Sequence, residues 1–209
     1  MTSVPAPKPY SEACERNREP ILGVLEEFFA ESGNALEIGS GTGQHAIYFA
    51  AALPHLVWHT SDRLQNHPGI NAWIDEAGLA NIRRPLALDV DDDHWPVRDV
   101  DAVFSANTLH IMSWHSVENM FRGIGRVLPP GGMLVIYGPF SYGGRHTAAS
   151  NARFDAQLRA RDPASGIRDF EAVAGLAEAQ GLRLVADRAM PANNRSLVWR
   201  RAAPVVALQ

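Results

Sequence analysis

Apolar residues in this chain form two kinds of pattern, and the two alternate. Short apolar runs predict strands at Ala35–Ile38, Leu56–Thr60, Ile82–Leu88, Val100–Ala106, Met133–Tyr137, Leu182–Ala189 and Ser196–Arg201. Among them lie stretches whose apolar positions recur at helical spacing. These predict helices at Gln44–Ala52, Ile70–Ala77, Val117–Val127, Asn151–Arg161 and Asp169–Gln180. Ahead of the first strand, Ser11 can cap a short helix reaching Asn17. Pro20 suits the first turn of a second helix, with Ile21, Leu22, Val24, Leu25, Phe28 and Phe29 as its apolar stripe, and Gly33-Asn34 stops it.

Strands alternating with amphipathic helices imply an α/β fold whose seven-stranded, mostly parallel sheet carries helices on both faces. The segment MPANNR can turn the chain back before the last strand, which is therefore expected to run antiparallel. The three prolines of residues 1–10 predict a flexible arm; one domain is expected over residues 11–201, followed by a tail at 202–209.

Composition narrows this picture. A chain of 209 residues that is 46% hydrophobic and 20% charged has the makings of one ordinary core. Its formal charge of −4 gives no global field for a polyanion, which argues against nucleic acid as a partner. Cys14 is the only cysteine, so neither an internal disulfide nor a thiolate metal cluster can form. The opening MTSVPAPKPY holds no apolar stretch of signal-peptide length, and no segment has the ~20 apolar residues of a membrane span, so a cytoplasmic protein is expected.

The chemistry concentrates first in LEIGSGTGQ, where Gly39, Gly41 and Gly43 occupy alternate positions after the first predicted strand. Bare backbone at a strand end, leading into a helix N-terminus, lets a ligand lie against main-chain amides. The spacing is not the dinucleotide fingerprint, because Gln44 stands where its last glycine belongs, and no Gly-Lys-Ser/Thr phosphate loop is present. Asp62 and Asp89 follow the second and third strands. Carboxylates there would repel a pyrophosphate yet accept ribose hydroxyls and an exocyclic amine, which suits a phosphate-free adenosine compound such as S-adenosylmethionine.

LEIGSGTG resembles the first motif of the class I S-adenosylmethionine-dependent methyltransferases, whose Rossmann-like fold matches the outline above. ERNREPIL, LPHLVWHTSD, LDVDDDHWP, YGPFSYGG, SNARFDAQLRARDPASGIRDF and MPANNRSLVWR also resemble the methyltransferase-like protein 26 family, over roughly Tyr10 to Arg201. The resemblance implies that Glu37 meets the cofactor's amino group and that Gly39 and Gly41 approach its methionine and ribose. It gives Asp62 the ribose hydroxyls, Asp89 and the Val90 amide the adenine, and Asn107 and Thr108 backbone carbonyls for the amino-acid part. Arg16 and Asn17 would fold over the cofactor, although a surface ion pair with Glu12 or Glu19 is the other reading of Arg16.

The acceptor is expected outside the carboxyl ends of the fourth and fifth strands. His110 is the candidate base, or else a packed histidine bonded to backbone. Tyr137, Phe140 and Tyr142 could line an aromatic pocket that tolerates a sulfonium, with some of them simply core. Tyr137 and Tyr142 are candidates beside His110 for a catalytic role. Asn151, Phe154 and Asp155 share one face of the following predicted helix, and Asn193 and Asn194 precede the last strand; together they are expected to cover a small-molecule acceptor. The two asparagines could equally be turn formers.

No H-x-x-x-H or H-E-x-x-H pattern occurs, and Ala106-Asn107 stands where magnesium-dependent methyltransferases place carboxylates, so no metal is expected. Two rival readings share this outline: a nicotinamide-dependent oxidoreductase and a non-catalytic module that kept the cofactor pocket.

Overall fold

In a computed structural model, residues 8–98 and 100–203 are described. The elements are α1 (Glu12–Phe28), β1 (Asn34–Ile38), α2 (Gln44–Ala52), β2 (Val57–Asp62), α3 (His67–Ala77), β3 (Ile82–Ala87), β4 (Ala102–Ala106), α4 (Trp114–Val127), β5 (Met133–Gly138), β6 (Phe140–Tyr142), β7 (Arg145–His146), α5 (Ala149–Arg161), β8 (Arg168–Asp169), α6 (Phe170–Ala179), β9 (Leu182–Met190) and β10 (Asn194–Arg201). Seven strands form one sheet in the order β3-β2-β1-β4-β5-β10-β9, with β10 antiparallel to both of its neighbours. This is a Rossmann-like α/β sheet, as the alternating pattern implied.

Two hydrophobic clusters sandwich the sheet. Ile21, Leu25, Phe49, Trp58, Ile70 and Phe104 pack α1, α2 and α3 on one face, while Val103, Val117, Phe121, Leu134, Val173 and Trp199 pack α4 and α6 on the other. Side chains alternate across a strand, so Val103 and Phe104 on β4 serve opposite clusters.

Three differences from the sequence pattern are informative. Pro20 lies inside a single helix and does not open a second one. Its ring costs a helical hydrogen bond, but Asn17, Ile21, Val24 and Leu25 form one buried face across it, and tertiary packing outweighs the local break. The glycine-rich segment after β5 contains a small second sheet, β7-β6-β8. Its strands, of two or three residues, are too short to show periodicity. Lys8 and Pro9, placed in the arm, pack on α3: Lys8 pairs with Glu76 at 2.5 Å and lies over Trp73, whose indole donates to Pro9 O at 2.8 Å. The rest of the expected arm, residues 1–7, and the tail beyond residue 203 lie outside the described residues.

Candidate active site

Strand order reverses between β1 and β4, so the chain leaving β1 and the chain leaving β4 part there and open a crevice at the carboxyl end of the sheet. The glycine loop leaves β1 at this point. Gly39, Gly41 and Gly43 have φ of 74°, 59° and 93°, a region open to glycine at little cost. A Cβ on Gly39 would stand 2.6 Å from Thr108 Cγ2, so the loop closes against the turn after β4 only because that atom is missing. The amides of Gly39 and Ser40 both donate to Ser61 O, at 3.1 and 2.9 Å, and Ser61 Oγ donates to Glu37 O at 2.6 Å. These bonds fasten the loop to the end of β2.

Three carboxylates stand along this edge. Glu37 is buried at the end of β1, where Ser40 Oγ and Trp58 Nε1 donate to its Oε2 at 2.8 and 3.2 Å. Burial pushes its pKa up to about 7; the two donors oppose the rise and the nearby Asp62 adds to it. Asp62 Oδ2 accepts from the Gly41 amide at 2.7 Å, and its Oδ1 from the Arg63 amide at 2.7 Å and Asn66 Nδ2 at 2.8 Å. Asp89, after β3, takes Arg63 Nε at 3.2 Å and the Asp91 amide at 3.1 Å, and Val90 beside it is buried.

Across the crevice, Asn107 has a left-handed φ of 59° and its amide donates to Tyr137 O at 2.9 Å. Ser105 Oγ donates to Ile38 O at 2.8 Å, so it accepts from Thr108 Oγ1 at 2.6 Å, and this pair ties β4 to β1 beneath the loop. The predicted cofactor residues Glu37, Gly39, Gly41, Asp62, Asp89, Val90, Asn107 and Thr108 therefore lie along the carboxyl ends of four adjacent strands.

Helix α1 is clamped to this edge. Gln44 Oε1 accepts from the Ser11 amide at 2.5 Å, and Gln44 Nε2 donates to Glu15 at 2.9 Å. Asn17 is buried with its Oδ1 2.7 Å from His45 Nε2, a ring that burial holds neutral by pushing its pKa down to about 4. Arg16 lies on the exposed surface, paired with Glu12 at 3.1 Å, which is the ion-pair reading of that residue.

The side expected to take an acceptor is different in kind. His110 is buried, edge-on to Phe154 at 5.3 Å between centroids. Burial, helped by the Arg168 cation, pushes its pKa down to about 4. The Tyr137 hydroxyl is approached by Asn17 and Asn194, and burial raises its pKa. Phe140 sits in the core, while the Tyr142 hydroxyl donates to Asp187 Oδ2 at 2.8 Å and its ring stacks on Phe170. Burial and Asp187 push that phenol well above its ordinary range. Asp155 is held by the Ile167 amide at 2.7 Å and Arg159 Nε at 3.0 Å, with His146 Nε2 at 3.5 Å.

Asn151 and Asn193 knit α5 to the turn before β10. Asn151 Nδ2 donates to Asn193 O at 3.0 Å and to Thr147 Oγ1 at 3.1 Å, and Asn193 Nδ2 donates to Ser150 Oγ at 3.2 Å. Asn193 has φ of 59° and Asn194 Nδ2 donates to Pro191 O at 3.2 Å, so both also serve the turn itself.

The chain matches the family model described as "Protein of unknown function (DUF938)" over residues 8–201. It belongs to this family. Among solved structures it is similar to an O-methyltransferase family protein from Burkholderia thailandensis, with a TM-score of 0.80 and 18% identity over 92% of this chain and 58% of that one. An O-methyltransferase family 2 protein from Planctomyces limnophilus, solved with apigenin, gives a TM-score of 0.80 and 16% identity over 91% of this chain and 58% of that one. Human N-acetylserotonin methyltransferase, solved with S-adenosylmethionine, gives 0.75 and 15% over 92% and 53%. These likenesses establish for this DUF938 chain the fold of Rossmann-like methyltransferases, and it spans only between half and three fifths of their lengths. Among the described residues, no helix is long and apolar enough to cross a membrane.

Some participants escaped sequence reasoning. Arg168 is buried, with Nε donating to Leu109 O at 3.0 Å and Nη2 to Ala164 O at 2.9 Å and to Met112 O. It fixes the loop that carries His110. Its partners are backbone carbonyls more than fifty positions away for two of the three bonds, and no sequence pattern announces such bonds. His45, Ser40 and Trp58 were likewise missed; only Ser40, inside the glycine motif, lies where a signal could have drawn attention.

Proposed function

We propose that this protein is a cytoplasmic, metal-independent S-adenosylmethionine-dependent methyltransferase acting on a small molecule, and that its resemblance to the methyltransferase-like protein 26 family reflects shared chemistry. The observation that carries this reading is Glu37: a buried acid with two neutral donors on one oxygen, and with no ion pair among the described residues, beside a bare glycine loop. Such a carboxyl is matched by a ligand that brings its own ammonium group. A pyrophosphate would meet Glu37, Asp62 and Asp89 as repulsion, which disfavours a nicotinamide dinucleotide.

The cofactor's chemistry would be an electrophilic methyl group on a sulfonium. The chain's own residues then have defined tasks. Glu37 would take the ammonium and Asp62, its geometry fixed by three donors, the ribose hydroxyls. Asp89 and the Val90 amide would face the adenine and the Asn107 carbonyl the amino-acid part, whereas the Thr108 carbonyl, expected there as well, is taken by the Ile111 and Met112 amides at 3.1 and 3.3 Å; Asn17, braced by His45, would close the α1 side. Direct displacement asks the protein mainly to align the acceptor and exclude water. His110, Tyr137 and Phe154, with the Asn151–Asn193–Asn194 corner, would bound the acceptor. The neutral, partly apolar character of that wall supports a small molecule over a charged polymer.

Metal independence is supported by the donor set: among the described residues no three His, Cys, Asp or Glu side chains converge. The test is calorimetric titration of the purified protein with S-adenosylmethionine, S-adenosylhomocysteine and NADH. Binding of the first two and not the third is expected; binding of NADH alone would replace this reading with an oxidoreductase.

A further inference from the structure

The acceptor side contains a buried cation without an ion-pair partner among the described residues, and its carboxylates are all engaged. Arg168, on β8, directs its guanidinium only at the carbonyls of Leu109, Met112 and Ala164, and its ring neighbour is Trp114 at 5.9 Å. No carboxylate pairs with it among the described residues; Asp155 and Asp162 act on it only from a distance, opposed by Arg159. A buried charge held by neutral dipoles keeps much of its field, and here the field falls on the loop of His110.

Each carboxylate on this side is already engaged. Asp155 holds the Ile167 amide and Arg159, with His146 beside it; Asp169 holds Ser141 and the Gly144 amide; Glu171 holds the Gly143 amide; Asp187 holds Tyr142 and Arg195. Asp162 accepts from the Ala164 amide and Ser165. His110 is faced by Phe154 from α5, by Gly138 from β5 and by the Arg168 cation from β8, surroundings that oppose its taking up a proton.

We propose that the acceptor methylated at this site is an anion already nucleophilic at neutral pH, a carboxylate, a thiolate or an acidic phenolate, held in the field of Arg168. The proposal rests on the methyltransferase reading above. The acceptor's lone pair forms the new bond to the methyl carbon as the carbon–sulfur bond breaks and its electron pair stays on sulfur. The negative charge of the acceptor and the positive charge of the sulfonium cancel, and no proton moves.

The test titrates the protein, loaded with S-adenosylhomocysteine, with benzoate and with its uncharged counterpart benzamide. Benzoate is expected to bind roughly tenfold more tightly. That preference should shrink in Arg168→Gln and return in Arg168→Lys. In parallel, methyl transfer from labelled S-adenosylmethionine should reach benzoate or thiophenolate and follow the ionised fraction of the acceptor with pH. Equal binding of benzoate and benzamide overturns the proposal, as does absence of transfer to every ionised acceptor. So does methylation of benzyl alcohol, which stays un-ionised at neutral pH, at a rate matching that of benzoate. If Arg168→Gln fails to fold, the benzoate-to-benzamide ratio of the unaltered protein decides. Failure to bind S-adenosylhomocysteine at all removes the methyltransferase reading beneath the proposal and is seen before any acceptor is added.

Discussion

The two sides of the crevice are built by opposite means. The glycine-loop side is local and acidic: Glu37, Ser40, Gly41, Ser61 and Asp62 bond to one another within two adjacent strands. The acceptor side is assembled from distant segments around a buried cation, with Arg168 gripping the loop after β4 and Asn151 gripping the turn before β10. The first resembles a fixed socket for one kind of ligand. The second is a frame drawn from segments far apart in the chain.

Removing Asp62 should break this contrast most strongly. Asp62→Ala strips the Gly41 amide of its partner and, on the proposed reading, removes the carboxylate that would take the ribose, so affinity for S-adenosylhomocysteine should fall about a hundredfold while circular dichroism shows the fold retained. Unchanged affinity would remove the ribose assignment.

Glu37→Gln should separate stability from binding. The folded state raises the Glu37 pKa from 4.5 to about 7, so the folded protein holds this proton where the unfolded chain has lost it. Its favourable contribution is complete below pH 4.5 and is lost as pH rises to about 7. Glutamine cannot ionise. Its stability advantage over the parent should be near zero at pH 4.5 and grow to roughly 1–3 kcal/mol by neutral pH, read by denaturant melts at each pH. The same variant should bind S-adenosylhomocysteine roughly tenfold more weakly, because the ammonium loses its counter-charge. His45 and His110 act in the opposite sense, since acid forces protons on two rings held neutral, so the comparison must be made variant against parent.

Asn151→Ala tests the frame. Loss of two partly buried hydrogen bonds should cost about 1–2 kcal/mol and lower the melting temperature by a few degrees, with cofactor affinity unchanged. A drop in affinity would mean the two sides are coupled. Arg16→Ala should have the smallest effect, within about 0.5 kcal/mol in stability and with no change in cofactor binding, because its ion pair is exposed.

This contrast also explains what could be read in advance. The sheet, the helix Gln44–Ala52 and the acid-and-glycine edge are legible because they rest on short-range periodicity and spacing. Pro20 misled because a proline marks a helix start locally, while the buried face from Asn17 to Leu25 is a tertiary fact. Asp91 accepts from Ser116 and Asn119 of α4, residues far along the chain that no local pattern links to it. The place of Arg168 and the depressed basicity of His110 depend on segments far apart in the chain. The acceptor side is therefore the part that sequence pattern leaves open.

The most direct measurement is a crystal structure of the protein soaked with S-adenosylhomocysteine. The account requires the ribose hydroxyls on Asp62 and the amino group on Glu37, with the sulfur opening toward His110 and Tyr137. A ligand bound elsewhere, or lying in the crevice with its amino group away from Glu37, would contradict it.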